Sequence, residues 1–238
     1  MIEDVADRVP ASLSAYRNSV AAGSGNATAL PLPALHDGAV FDAMLAPFAA
    51  NFGEADRRAV VSFWSQYYFA LLATPALTAL MRCGRPLPLA FEATRLELDA
   101  EGRPARLLID TGEGEGASSP PAGLNGLIEG HLRPFIALCH ARCGVAPRVL
   151  WGNAATILDY VARAIGEGEP SACDEVASCL GWRPGSGCAR TPLAQALCSD
   201  ASGCLRRACC LRHRLPGVAS CGPRCPLERQ TGRCPAPC

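Results

Sequence analysis

The stretch Asp56-Arg57-Arg58-Ala59-Val60-Val61-Ser62-Phe63-Trp64-Ser65-Gln66-Tyr67-Tyr68-Phe69-Ala70-Leu71-Leu72 reads as the clearest helix in the chain. Val60, Trp64, Tyr67, Tyr68, Leu71 and Leu72 recur at 3.6-residue spacing and share one face. Pro75 is expected to break or restart this helix, with apolar residues continuing to Met81. Upstream, Gly38 to Phe52 reads as a helix kinked or split at Pro47, and a short helix is expected around residues 4–18. Downstream, the character changes at Pro86. Leu87–Leu98 and Ala105–Ile109 are strand-like, joined by a turn at Asp99-Ala100-Glu101-Gly102, which predicts a β-hairpin. Thr111–Gly123 reads as a loop. Helices resume over Leu124–Cys143 and Leu150–Gly166, and Gly166 to Pro170 marks a boundary. Residues 1–170 are therefore expected to form one mainly helical domain and residues 171–238 a separate, cysteine-rich segment.

The 238 residues carry no net charge, but the two parts differ in sign. Residues 1–182 hold 13 Arg against 20 Asp and Glu, a balance of −7, and residues 183–238 hold 9 Arg against Asp200 and Glu228, a balance of +7. A basic tail suggests an anionic ligand or partner. The last aromatic residue is Trp182, so the tail has nothing to stack on bases, and nucleic acid is not expected. Acidic Glu3 and Asp4 stand where a secretory signal would be basic, and no apolar run approaches a membrane span. The expected location is cytoplasmic, with peripheral contact at the inner membrane left open.

Of the 14 cysteines, three (Cys83, Cys139, Cys143) precede residue 173 and eleven lie from residue 173 onward. In a reducing compartment such a cluster points to metal binding, where in an exported chain it would read as a disulfide framework. The decisive run is Arg206-Arg207-Ala208-Cys209-Cys210-Leu211-Arg212-His213-Arg214-Leu215-Pro216-Gly217, followed by Cys221-Gly222-Pro223-Arg224-Cys225. Two adjacent cysteines, ten intervening residues and a close pair supply four soft thiolates, which suit an iron–sulfur cluster. Pro216-Gly217 turns the chain back toward the first pair. A four-thiolate zinc site is the plainer alternative, although paired zinc ligands usually have two to four residues between them. The expected fold class is α+β, mainly helical with a β-hairpin and a small C-terminal cysteine-rich iron–sulfur segment.

This run resembles the C-terminal domain of the siderophore-iron reductases (FhuF-like). Their pattern is Cys-Cys, ten residues, then Cys-x-x-Cys, with a Tyr/His-Arg-Leu-Pro-like run after the double cysteine. Trp64-Ser65-Gln66-Tyr67-Tyr68 and Leu150-Trp151-Gly152-Asn153-Ala154 are also similar to segments of that family, so the likeness spans roughly residues 40–230. It implies a [2Fe–2S] cluster on Cys209, Cys210, Cys221 and Cys225 that passes one electron to siderophore-bound Fe(III), with the hydroxamate type the expected siderophore. The chain departs from the pattern once: three residues, not two, separate Cys221 and Cys225. Cys234 and Cys238, also three apart, are the alternative ligands. No Gly-x-Gly-x-x-Gly follows a strand, so electrons are expected from a separate ferredoxin or flavoprotein reductase. A [2Fe–2S] electron carrier or iron sensor without reductase activity, and a zinc-stabilised binding module, are the rival readings.

The remaining candidates have plainer roles. Cys173, Cys179, Cys188 and Cys198 lack ligand spacing and read as buried or incidental thiols. Cys139 and Cys143, one helical turn apart, read as core. Trp64, Tyr67 and Tyr68 also read as core, with a siderophore pocket the sharper alternative. Asn153 reads as a local cap on its helix. His213 and the arginines 206, 207, 212 and 214 flank the double cysteine, where they would offset a cluster's negative charge or attract an anionic partner.

Overall fold

The computed structural model describes residues 1–23, 29–110, 120–167, 191–200, 203–222 and 225–227, together with residues 176, 178 and 180. Ile2–Arg8 forms α1, and a separate 3-10 turn over Ala11–Tyr16 follows Pro10, so the helix expected around 4–18 is two pieces. Gly38–Ala49 forms α2, capped by Asp37, whose carboxylate accepts from the Ala39 and Val40 amides. Pro47 lies inside α2 without splitting it, and a 3-10 turn carries the chain to Phe52.

Arg57–Cys83 forms α3, the axis of the molecule. Asp56 caps its start, and Gly84 in the left-handed region (φ 64°) ends it. Pro75 does not break it. An interior proline removes one helical hydrogen bond and costs about 3 kcal/mol, yet α3 is buried without interruption from Tyr68 to Leu80, and packing outweighs propensity. The far end is also clamped. Arg8 donates to the Arg82 carbonyl (2.9 Å), and Arg82 donates back to the Arg8 carbonyl (2.8 Å) and on to that of Ile165 (3.0 Å).

The sheet is larger than the expected hairpin. Val20–Ala22 (β1), Leu30–Pro31 (β2), Arg95–Leu98 (β3) and Pro104–Ile109 (β4) lie in the order β1-β4-β3-β2. The β3–β4 hairpin is antiparallel with Leu96 opposite Leu107, and β1 runs parallel to β4. Residues 87–94, expected as strand, form an irregular segment ending in a 3-10 turn at Phe91–Ala93. The hairpin turn is fixed by Asp99, whose carboxylate accepts from the amides of Glu101 (2.9 Å) and Arg103 (2.8 Å). Trp64 of α3 reaches over to donate to the Gly102 carbonyl (2.8 Å), which ties sheet to helix.

Pro120–Leu127 (α4) and Arg133–Cys143 (α5) are joined by a π-helical turn at Ile128–Leu132. That turn carries His131, fully buried, between the Tyr68 hydroxyl and the Leu89 carbonyl. Leu89 can only accept, so Nδ1 donates to it and Nε2 accepts from Tyr68. Cys139 is buried, and the Cys143 thiol donates to its carbonyl (2.9 Å), a core arrangement. Pro147–Gly166 (α6) packs along α3.

Beyond α6, Pro192–Ala196 (α7) leads into a two-stranded antiparallel ribbon, Leu197–Asp200 (β5) and Gly203–Arg206 (β6), and then the cysteine loop. Leu193, Leu197 and Leu215 are buried in the same apolar core as α3 and α6. The fold is α+β and mainly helical. Cys173, Cys179, Cys188, Cys234, Cys238 and the Gly112–Gly116 stretch lie outside the described residues. Among the described residues, no helix is long and apolar enough to cross a membrane.

Candidate metal centre

Strand β6 delivers the double cysteine to the side of α3 and α6, and a buried polar network holds it there. The Ser62 hydroxyl of α3 donates to the Cys210 carbonyl (2.8 Å). Asn153 of α6 donates through Nδ2 to the Ser62 carbonyl (2.8 Å), the Ser62 hydroxyl (3.0 Å) and the Ser65 hydroxyl (3.0 Å). Its Oδ1 accepts from Arg206, a guanidinium only 5% exposed. Asn153 is thus no cap. Pro147, with φ already suited to a first turn, starts α6 three residues before the expected Leu150, and this puts Asn153 inside the helix facing α3. The Ala208 carbonyl lies at van der Waals distance from Gly152, 4.0 Å from where a β-carbon would stand.

The loop itself is shaped around sulfur. Leu211 adopts φ 62°, unusual for a branched residue and costing of order 1–2 kcal/mol. In return its amide donates to the Cys209 sulfur (3.3 Å). His213 Nδ1 lies 3.5 Å from the same sulfur. A 3-10 turn over Arg212–Arg214 then swings the chain round to Leu215 and Gly217 (φ 71°). The loop is pinned at two further points. Arg214 pairs with the Asp56 carboxylate (2.6 Å) at the start of α3, and Arg212 donates to Gln66 (2.9 Å). Arg58, then Arg214, hold that carboxyl well below its usual range.

At the second pair, Gly222 turns the chain. Gly222 sits at φ 68°, and the Cys225 amide donates to its carbonyl (2.8 Å). Cys210 and Cys225 are buried, Cys209 and Cys221 half-buried, and none of the four is in a disulfide. The Cys221 thiol interacts with both Cys210 and Cys225. Burial, then the charge and hydrogen bonding of those neighbours, push it up to about 12. Burial likewise raises Cys209, against the lowering effect of the Leu211 amide.

Among the described residues, no group of three or more His, Cys, Asp or Glu side chains is placed to hold a metal ion. A binuclear cluster asks for a different arrangement, two thiolates on each iron. Four thiolates are the donor type such a cluster takes.

Against one face of this loop lies a cavity of about 520 Å³. Phe63, Gln66 and Tyr67 of α3 line it with Tyr16, Ile157, Arg212 and Val218. Tyr67 is therefore a wall residue, whereas Trp64 and Tyr68 are core, 1% and 0% exposed.

Comparison with known proteins bears on the same region. The profile of the family described as ferric iron reductase FhuF-like transporter matches residues 62–217, more than half of the chain. The chain belongs to this family. The matched residues of this FhuF-like protein open at Ser62 and close at Gly217, so they include the Ser62–Asn153–Arg206 network and the double cysteine. A ferric siderophore reductase of Escherichia coli (strain K12) is 24% identical over 171 residues, covering 70% of this chain and 65% of that protein. Sequence reasoning missed Ser62, Ser65 and Gln66 as site residues. Ser65 and Gln66 lie in the family-like segment 64–68, and all three are polar in an otherwise apolar helix, but neither signal singled them out.

Proposed function

We propose that this FhuF-like chain is a ferric-siderophore reductase, an oxidoreductase that carries a [2Fe–2S] cluster on Cys209, Cys210, Cys221 and Cys225. The observation that supports the reading most directly is the fixing of the double cysteine against two core helices, with the Cys210 carbonyl accepting from Ser62 and the Cys209 sulfur from the Leu211 amide. Such a cluster supplies one electron at a time, which turns substrate Fe(III) into Fe(II), a softer ion that hydroxamate oxygens hold less tightly.

The chain's own residues prepare the site for that exchange. The Leu211 amide lowers the cost of negative charge on Cys209, and Arg206 lowers it for the thiolates collectively. The Ser62–Asn153 network fixes the loop backbone, so the sulfurs need little rearrangement. The half-exposed Cys209 side faces outward as the place where an electron enters or leaves. The donor is a separate ferredoxin or flavoprotein reductase, drawn by the arginine-rich tail. The acceptor is a ferric siderophore of the hydroxamate type.

The test is an anaerobic visible and EPR spectrum before and after dithionite, with iron, zinc and acid-labile sulfide quantified. Two irons and two sulfides per chain, with bands that bleach and are restored by a ferric trihydroxamate, support the reading. Stoichiometric zinc without sulfide, persisting after anaerobic reconstitution, would overturn it.

A further inference from the structure

The core holds a polar pair that the proposed electron transfer does not use. Tyr68 of α3 and His131 of the π-helical turn are both fully buried, and the phenol donates to imidazole Nε2. The other ring nitrogen, Nδ1, is taken by the Leu89 carbonyl, so Nε2 faces the phenolic proton with a free lone pair. Burial lowers the pKa of His131 to about 4, so the ring is neutral and able to accept. Around the phenol the packing is aromatic. Phe135 stacks on it at 4.1 Å between centroids and Trp64 at 5.6 Å, with planes inclined by 17° and 18°. A phenylalanine would fill the same space, so packing alone does not call for the hydroxyl. π-Helical turns, moreover, occur frequently at functional sites.

We infer that Tyr68 and His131 form a redox-active pair that draws strongly oxidising equivalents out of the core. Burial, then the neighbouring Cys139 thiol, keep the phenol protonated, so acid–base chemistry alone does not open it. Loss of an electron does, because a phenol radical cation is a far stronger acid than a phenol. An electron leaves Tyr68 for a one-electron oxidant of hydroxyl-radical strength, which is reduced to hydroxide. The phenolic proton crosses to His131 Nε2, leaving a neutral phenoxyl and an imidazolium. One electron from a thiolate, itself oxidised to a thiyl, later quenches the phenoxyl, and the imidazolium returns the proton to oxygen. The structure meets the needs of this step. A base stands within hydrogen-bond reach of the proton it takes, and the stacked Trp64 indole offers a second oxidisable ring. The stack also leads from the cysteine loop. Ser62, which holds the Cys210 carbonyl, precedes Tyr68 by six residues, about 9 Å along the helix. In a reductase such oxidants arise where released Fe(II) meets peroxide, although the chemistry of the pair does not depend on that reading.

The experiment is flash oxidation of the purified chain with tris(bipyridine)ruthenium(II) and a cobalt(III) acceptor, followed by transient absorption and freeze-quench EPR. Wild type is expected to give a neutral tyrosyl radical whose pulsed EPR shows coupling to an imidazolium proton. Tyr68→Phe should lose this radical, although Tyr16, Tyr67 and Tyr160 remain. His131→Gln keeps a hydrogen-bond acceptor but no base, and should lose it as well. Should either variant lack the wild-type circular dichroism spectrum, the other variant and the wild-type coupling decide. No tyrosyl radical, a radical without the imidazolium coupling, or an undiminished yield in either folded variant overturns the pair. The measurement needs no bound cluster, so that result leaves the reductase reading standing.

Discussion

Asn153 is where the sequence of one helix becomes the geometry of another segment. Its amide donates to Ser62 and Ser65 and its carbonyl accepts from Arg206, all fully or nearly fully buried. Replacing it by Leu keeps volume and removes every one of these bonds, leaving a buried guanidinium without this acceptor. We expect Asn153→Leu to lose about 3–5 kcal/mol and to be purified with less than half of the wild-type iron. Urea unfolding and metal analysis check the two effects separately. Wild-type stability in this variant would show that the network is incidental. The role of Asn153 was not legible in the sequence, because a polar residue near a helix start is read as a cap, and only the helix register decides otherwise. The double cysteine was legible because its chemistry is local: four sulfurs within seventeen residues need no tertiary information to suggest a shared ligand.

At the scale of elements, α3 is joined to its neighbours by a few buried side chains with unusual demands. Gly102 holds φ 74° in the β3–β4 turn, and a β-carbon there would come within 2.8 Å of the Phe48 amide nitrogen. Gly102→Ala should therefore cost more than about 2 kcal/mol, combining backbone strain with overpacking. It should also weaken the bond from Trp64, which thermal unfolding and near-UV circular dichroism would register together. His131 joins α3, the segment before β3 and the π-turn. Burial lowers its pKa to about 4, opposed only by its bond to Leu89. Between pH 6.5 and that value the unfolded chain takes up a proton that the native chain refuses. Stability should thus fall as pH drops through this window, by about 1.4 kcal/mol per unit. Urea midpoints from pH 7 to 4.5 measure the slope, and in His131→Gln it should vanish. The helices themselves were read correctly from periodicity, but Pro75 was not a stop. Proline's local cost was visible in the sequence, and the packing that overrides it was not. Strands β1 and β2 went unread because two or three residues are too few to show alternation.

For the molecule as a whole, the basic C-terminal part shares the main core through Leu193, Leu197 and Leu215, and its loop adds Ala208, Leu211 and Val218 at the edge of that core beside the thiols. If the proposed cluster is present, stripping it anaerobically should loosen the molecule unevenly. Amide exchange is expected to rise at least about tenfold over residues 203–222, while α3 and the core face of α6 keep their protection. Uniform loosening would mean that the loop is integral to the global fold, and no change would mean that the thiols bind nothing structural. Arg212 carries a further consequence. Arg212 lines the cavity and stands two residues after Cys210, so an occupant of the cavity and the proposed cluster would share one loop backbone. Thermodynamic reciprocity then applies: if oxidation state alters that occupant's affinity tenfold, its binding must shift the midpoint potential by about 59 mV. The loop would work as a transducer, with its occupant setting the voltage at which the electron leaves.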